Sequence, residues 1–84
     1  MAALKVEGGP VRFAFSIKRS IGNAVVRNRV RRRLREACRI MRPGLAAGWD
    51  VLVMAGSRSA GAGYEELSAE LHRLLHQAGI EVKP

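Results

Sequence analysis

Ile21-Gly22-Asn23-Ala24-Val25-Val26-Arg27-Asn28-Arg29-Val30-Arg31-Arg32-Arg33-Leu34-Arg35-Glu36-Ala37-Cys38-Arg39-Ile40-Met41-Arg42 is the stretch from which the rest of the chain is best understood. Eight of the fifteen basic residues lie between Arg27 and Arg42, with Glu36 the one acid among them. Gly22 permits a tight turn and Asn23 is a strong N-cap residue, since its side-chain oxygen can accept a backbone N–H of the first helical turn. Pro43-Gly44 marks the other end. The interval predicts a helix from Asn23 to about Met41. At roughly 100° per residue, Val26, Val30, Leu34, Ala37, Cys38 and Met41 fall within about 120° of one another. Arg29, Arg31, Arg32, Arg33, Arg35, Arg39 and Arg42 fill the remaining arc. The stretch therefore specifies a helix with one buried stripe and one dense cationic face, not a disordered basic tail. Arg27 is out of phase, projecting into the apolar sector near the helix start.

Strands and a second helix are predicted around this helix. Val11, Phe13, Phe15 and Ile17 alternate with Arg12, Ala14, Ser16 and Lys18, the period of a strand with one buried face running to Ser20. Its two Phe residues read as core, or else as a stacking platform for unpaired bases. The opposite face is small and cationic and suits a phosphate backbone. Residues 1–10, with Gly8-Gly9-Pro10, predict a loose lead-in or a short edge strand. Trp49 to Ala55 is apolar almost without a break, the pattern of a strand covered on both faces, with Asp50 near its solvent edge. A Gly/Ser/Ala loop carrying Arg58 leads to a second helix, Tyr64 to Ala78. Leu67, Leu71, Leu74, Leu75 and Ala78 form its apolar stripe, and Glu65, Glu66 and Glu70 complement the positive end of its dipole. Gly79 fits a C′ position and Ile80–Pro84 a tail.

Eighty-four residues make one small domain with an aliphatic core, since only four residues are aromatic. Net charge is +8 but segregated: residues 11–42 hold eleven basic groups and one acid, the rest four basic and six acidic. Segregated charge is the footprint of a binding face, with nucleic acid the leading partner and an anionic membrane surface second. Cys38 is alone, so no disulfide framework and no zinc spacing exist. No apolar run approaches the roughly 18–20 residues that span a bilayer, and the first residues do not form a secretory signal. These features predict a reduced, soluble, cytoplasmic protein without an evident protein partner. The acids are scattered. His72 and His76 stand four apart without an evident third ligand, and Ser16 and Ser20 lack a base. Neither catalytic nor metal-ligating residues are expected. Arginine, always charged and able to grip phosphate through two hydrogen bonds, is the residue on which function rests.

The run Phe15-Ser16-Ile17-Lys18-Arg19-Ser20-Ile21-Gly22-Asn23-Ala24-Val25-Val26-Arg27-Asn28-Arg29, continuing through Arg31, Arg32, Arg33, Leu34, Arg35 and Glu36, resembles the signature of the protein component of bacterial ribonuclease P. The resemblance extends more weakly across residues 11–78. It implies an α/β sandwich like the second domain of ribosomal protein S5, with a small sheet packed with helices and a left-handed βαβ crossover. It also implies an RNA-binding subunit of an endoribonuclease that removes the 5′ leader from precursor tRNA. In that family, catalysis belongs to the RNA subunit and its Mg²⁺ ions, and the leader lies in a cleft between the sheet and the arginine helix. Arg27, Asn28 and Arg29 match the family's Arg-Asn-Arg motif. Lys18, Arg19, Asn23, Arg31, Arg32 and Arg35 match neighbouring RNA-facing positions, and Arg39 extends the same arc. Arg12, Ser16 and Arg58 are candidate leader contacts. Relatives begin with a helix and a further strand that this chain is expected to shorten or lack. It also has Ser20 and Gly56 where relatives carry basic residues, and Arg58 is placed to substitute for the second. The alternative is a general RNA-binding or RNA-chaperone module without leader recognition.

Overall fold

In the computed structural model, which describes residues 1–80, the arginine stretch forms α1 (Ala24–Met41). The Asn23 Oδ1 accepts the Val26 N–H at 3.0 Å, as the sequence predicts. Gly22 is required just before it: a Cβ there would come within 3.0 Å of the Val26 Cβ. Val30, Leu34, Ala37, Cys38 and Met41 are buried, and Val26 packs against them. The chain does not stop sharply at Pro43, but tightens into a 3-10 turn, Arg42–Gly44.

Three strands form the sheet, β1 (Ala2–Lys5), β2 (Arg12–Ile17) and β3 (Trp49–Ala55), in the order β1-β3-β2. The central strand pairs antiparallel with β1 and parallel with β2, so α1 is the crossover between two parallel neighbours. Residues 2–5 are thus a paired edge strand, not a loose lead-in, and the strand expected to be shortened or missing is present with four residues. The predicted strand to Ser20 ends at Ile17, and Arg19–Ile21 is a 3-10 turn that buries Ile21.

Helix α2 (Tyr64–Gln77) packs beside α1 and buries Leu67, Leu71 and Leu75. Its C-terminus closes in a Schellman motif. Gly79 donates to the His76 carbonyl at 3.1 Å, and Ile80 to the Leu75 carbonyl at 3.0 Å. Ile80 is not tail but core, fully buried, and its carbonyl accepts the Ala46 N–H at 2.7 Å. The remainder of the expected tail, residues 81–84, lies outside the described residues.

Both helices pack on one face of the sheet, the face of Val51, Val53 and Ala55. The prediction that β3 is covered on both faces is corrected: Leu52 is 37% and Met54 52% exposed. Two helices suffice for one face of three short strands, and no described element covers the other. Among the described residues, no helix is long and apolar enough to cross a membrane.

Candidate nucleic-acid interface

Because β2 and β3 run parallel, their carboxyl ends, Ile17 and Ala55, lie side by side. Lys18 N–H caps the pair by donating to the Ala55 carbonyl at 3.2 Å. Each strand then enters a 3-10 turn, Arg19–Ile21 after β2 and Ser57–Gly61 after β3, and the two turns pack against each other and against α1. Lys18, Arg19 and Arg58 are exposed there, beside Asn23 and the start of α1. Residues from two strand ends, two turns and one helix are thereby brought together. The first turn of α1 contains no acid, so its dipole adds positive potential to that of the side chains.

Arg27, as its phase predicts, is half-buried near the helix start. Asn28 is exposed and its Oδ1 accepts from Arg31 Nη1 at 3.2 Å, which holds Arg31 against the helix. Arg29 is half-buried, and its Nε is buried without a hydrogen-bond partner. Arg32 and Arg35 are exposed. No ion pair with an acid forms at Arg27, Arg29, Arg32, Arg35 or Arg42 among the described residues. Arg39 is different: its guanidinium grips Glu36 through both carboxylate oxygens at 3.0 and 2.6 Å, and this hydrogen bonding draws the Glu36 pKa below the ordinary carboxylate value.

Arg33 departs from the outer arc. Its Nη1 donates to the Ala62 carbonyl at 2.7 Å, tying α1 to the end of the turn that carries Arg58. The signal was in the phase: at 100° per residue Arg33 lies only about 20° outside the apolar sector. It is a structural arginine that positions the neighbouring turn.

Arg12 and Ser16 lie with Ala14 on the open face of the sheet, opposite Asp50, Met54 and Leu52 of β3. Arg12 makes a two-pronged pair with Asp50, both contacts 2.8 Å, and this pair lowers the Asp50 pKa and raises that of Arg12. On this face Ala2, Leu4, Arg12, Ala14, Asp50 and Leu52 border a shallow depression of about 410 Å³. The structure thus does not bring Arg12 or Ser16 to the space between sheet and helix. There the lining residues are Phe13 and Phe15 with Arg35, Cys38, Arg39 and Arg42. The two Phe rings pack against the core, parallel within 11°, with centroids 6.5 Å apart. Cys38 is core, and burial pushes its thiol up to about 12. His72 and His76 are exposed on α2, and no group of three His, Cys, Asp or Glu among the described residues is placed to hold a metal ion.

The chain is similar to several known proteins. The ribonuclease P protein component of Roseiflexus castenholzii is 44% identical over 70 residues, covering 82% of this chain and 57% of that protein. That of Symbiobacterium thermophilum is 38% identical over 73 residues, 87% of this chain and 64% of the relative. The chain thus spans less than two thirds of the length of these relatives. A Staphylococcus aureus RNase P protein mutant, described as defective in mRNA degradation activity, superimposes with a TM-score of 0.83 at 22% identity, over 93% of this chain and 66% of that one. The RNase P protein of Thermotoga maritima does so at 0.81 and 23% identity, over 89% of this chain and 72% of its own. These two likenesses establish the fold. The sequence profile of the Ribonuclease P family matches residues 1–79, and the chain belongs to that family.

Proposed function

We propose that the chain acts as the RNA-binding protein subunit of ribonuclease P, a cytoplasmic ribonucleoprotein, and assists a catalytic RNA in removing the 5′ leader from precursor tRNA. The observation that carries this reading is the convergence of Lys18, Arg19, Arg58 and the Arg27-Asn28-Arg29 turn at the carboxyl ends of two parallel strands, in a chain of this family. The buried part of α1 anchors that end to the core. The unpaired arginines along about 27 Å of helix supply phosphate contacts.

The open sheet face supports a path for the leader. It holds the small residues Ala14 and Ser16, exposes Leu52 and Met54, and ends at Lys18 and Arg58. An extended single strand could lay bases on the apolar floor and phosphates toward the basic end. Arg12 enters only by exchanging Asp50 for a phosphate. The space between sheet and helix, where the family resemblance puts the leader, is a less open route than this face. Chemistry in this reading belongs to the RNA and Mg²⁺ held by its phosphates. The chain's own acids do not converge on a cage among the described residues, and its part is to bind and orient.

The test is cleavage of precursor tRNA by the cognate RNA subunit at low Mg²⁺, with and without the protein. Stimulation of at least tenfold is expected, with nothing cleaved by the protein alone. Tight RNA binding without stimulation would reduce the function to a general RNA-binding module.

A further inference from the structure

The turn that carries Arg58 has little of its own to hold it. None of the residues of Ser57–Gly61 is buried, and no side chain caps its start. Gly56, Gly61 and Gly63 punctuate the segment, and a Cβ at Gly56 or Gly61 would meet nothing within 4 Å. A glycine-rich stretch without buried side chains has many conformations open to it. Charge works against the folded one. The turn packs against Arg19–Ile21, which brings Arg58 toward Lys18 and Arg19, and no ion pair with an acid forms at these three among the described residues. Upstream, the segment is fixed where β3 ends, since the Ala55 carbonyl accepts the Lys18 N–H. Downstream, Ala62 closes the turn and precedes Gly63, the N-cap of α2, and its carbonyl accepts from Arg33 Nη1 at 2.7 Å.

Resting on the RNA-binding reading, we propose that Arg33 is a positioning residue: it touches no RNA and acts through Arg58, which its tether to Ala62 holds at the basic end of the sheet. A cationic donor binds a carbonyl oxygen more tightly than a neutral one, so the charge of Arg33 strengthens the tether. The bond joins α1, anchored by its buried stripe, to a segment that buries nothing, and so lends the turn the order of the helix. Arg32 and Arg35 on the same helix are exposed and form no ion pair with an acid among the described residues, so they can meet phosphate directly. Arg33 is half-buried and already engaged, and it could reach a phosphate only by releasing the turn. Of the arginines on α1 it is thus the one whose contribution to binding passes through another residue.

The test is a double-mutant cycle of Arg33→Met and Arg58→Ala, alone and together, each titrated with the RNA subunit at several salt concentrations. Arg58→Ala is expected to weaken binding about three- to fivefold and to flatten the slope of log affinity against log salt by about 0.7–0.9, the loss of one phosphate contact. Arg33→Met should weaken binding about two- to threefold, within the loss at Arg58 itself, and should cause no further loss of affinity or slope once Arg58 is alanine. Arg33→Lys, which keeps one cationic donor, should recover most of the affinity. In amide NMR spectra of the free protein, Arg33→Met should shift residues 57–62 and leave residues 23–27 in place, which separates a tether from a general loosening of the fold. Losses that multiply in the double variant, with a further flattening of the slope, would overturn the proposal and make Arg33 a phosphate contact. Unshifted amides at 57–62, or shifts that spread to 23–27, would overturn it as well. Failure of the underlying reading shows separately, as a wild-type protein that does not bind the RNA subunit, while the NMR spectra still report on the tether.

Discussion

Helix α2 opens with Glu65 and Glu66 in its first turn, and Glu66 accepts the Gly63 N–H that precedes the helix. Further along, Glu70 and Arg73 neutralise each other at 2.6 and 2.9 Å. Helix α1, packed against it, opens with Ala24, Val25 and Val26, has no acid in its first turn, and pairs one arginine with Glu36. Its four arginine pairs at i, i+4 (27/31, 29/33, 31/35 and 35/39) each cost about 0.2–0.5 kcal/mol, about 1–2 kcal/mol together. One helix is electrostatically complete in isolation. The other is held in place by Val30, Leu34, Ala37, Cys38 and Met41, and its charges are left for something outside the chain. Both are amphipathic helices of similar packing, but α1 carries seven arginines and one acid where α2 carries one arginine and three acids. The placement of the acids widens that difference, since those of α2 stand at its start and that of α1 does not.

Alanine substitution should break this contrast most visibly in RNA affinity. Arg27→Ala or Arg29→Ala is expected to weaken binding of the RNA subunit about tenfold or more, since both are half-buried and held at the basic end. Arg42→Ala should cost about two- to threefold, as one exposed phosphate contact. Arg73→Ala, on the self-neutralised helix, should have no effect. Filter binding at two salt concentrations checks this, and equal losses for Arg27, Arg42 and Arg73 would mean that only total charge matters.

A smaller effect concerns the cap. Asn23→Ala removes the oxygen that accepts from Val26 and should lower the unfolding free energy by about 1 kcal/mol. Asn23→Gly should cost only a few tenths of that, which would put α1 on the footing of α2, whose N-cap is Gly63. Urea denaturation measures both.

The smallest change sharpens the comparison by making α1 resemble α2. Val25 is 72% exposed in the first turn. Val25→Glu supplies the missing acid and should stabilise the free protein by about 0.3–1 kcal/mol. The same variant should bind RNA more weakly. Opposite signs in melting temperature and affinity are the expected signature; a variant that gains both would show that the first turn of α1 does not face polyanion.

The α1 boundaries could be read from the sequence because Gly22-Asn23 and Pro43-Gly44 act locally, and its buried face because a helix has a fixed period. The inward Phe13 and Phe15 followed from strand alternation for the same reason. Local signals did not reveal the open face of the sheet. Leu52 and Met54 read as buried because a continuous apolar run looks alike whether one face or two are covered, and only the number of helices decides. Ile80 reads as tail because it follows the helix stop, yet the residue after a Schellman glycine commonly turns back onto the helix, as it does here. Arg33 reads as solvent-facing on a phase difference smaller than the reach of its own side chain. The separation of Arg12 and Ser16 from the helix-side groove followed from their alternation with the Phe residues. That both faces of one strand border usable surfaces, however, needed the packing of α1 against β2.

The strand order β1-β3-β2 also imposes a schedule. Neither outer strand has a hydrogen-bonding partner until the central one arrives, and that one is the last of the three in the chain. During synthesis, the arginine segment emerges from the ribosome ahead of β3, the strand that completes the sheet against which α1 packs. For that interval the segment is a free polycation. A nascent chain of this kind meets surrounding polyanions before its domain has closed, so closure of the domain and capture of a polyanion overlap in time instead of following in sequence.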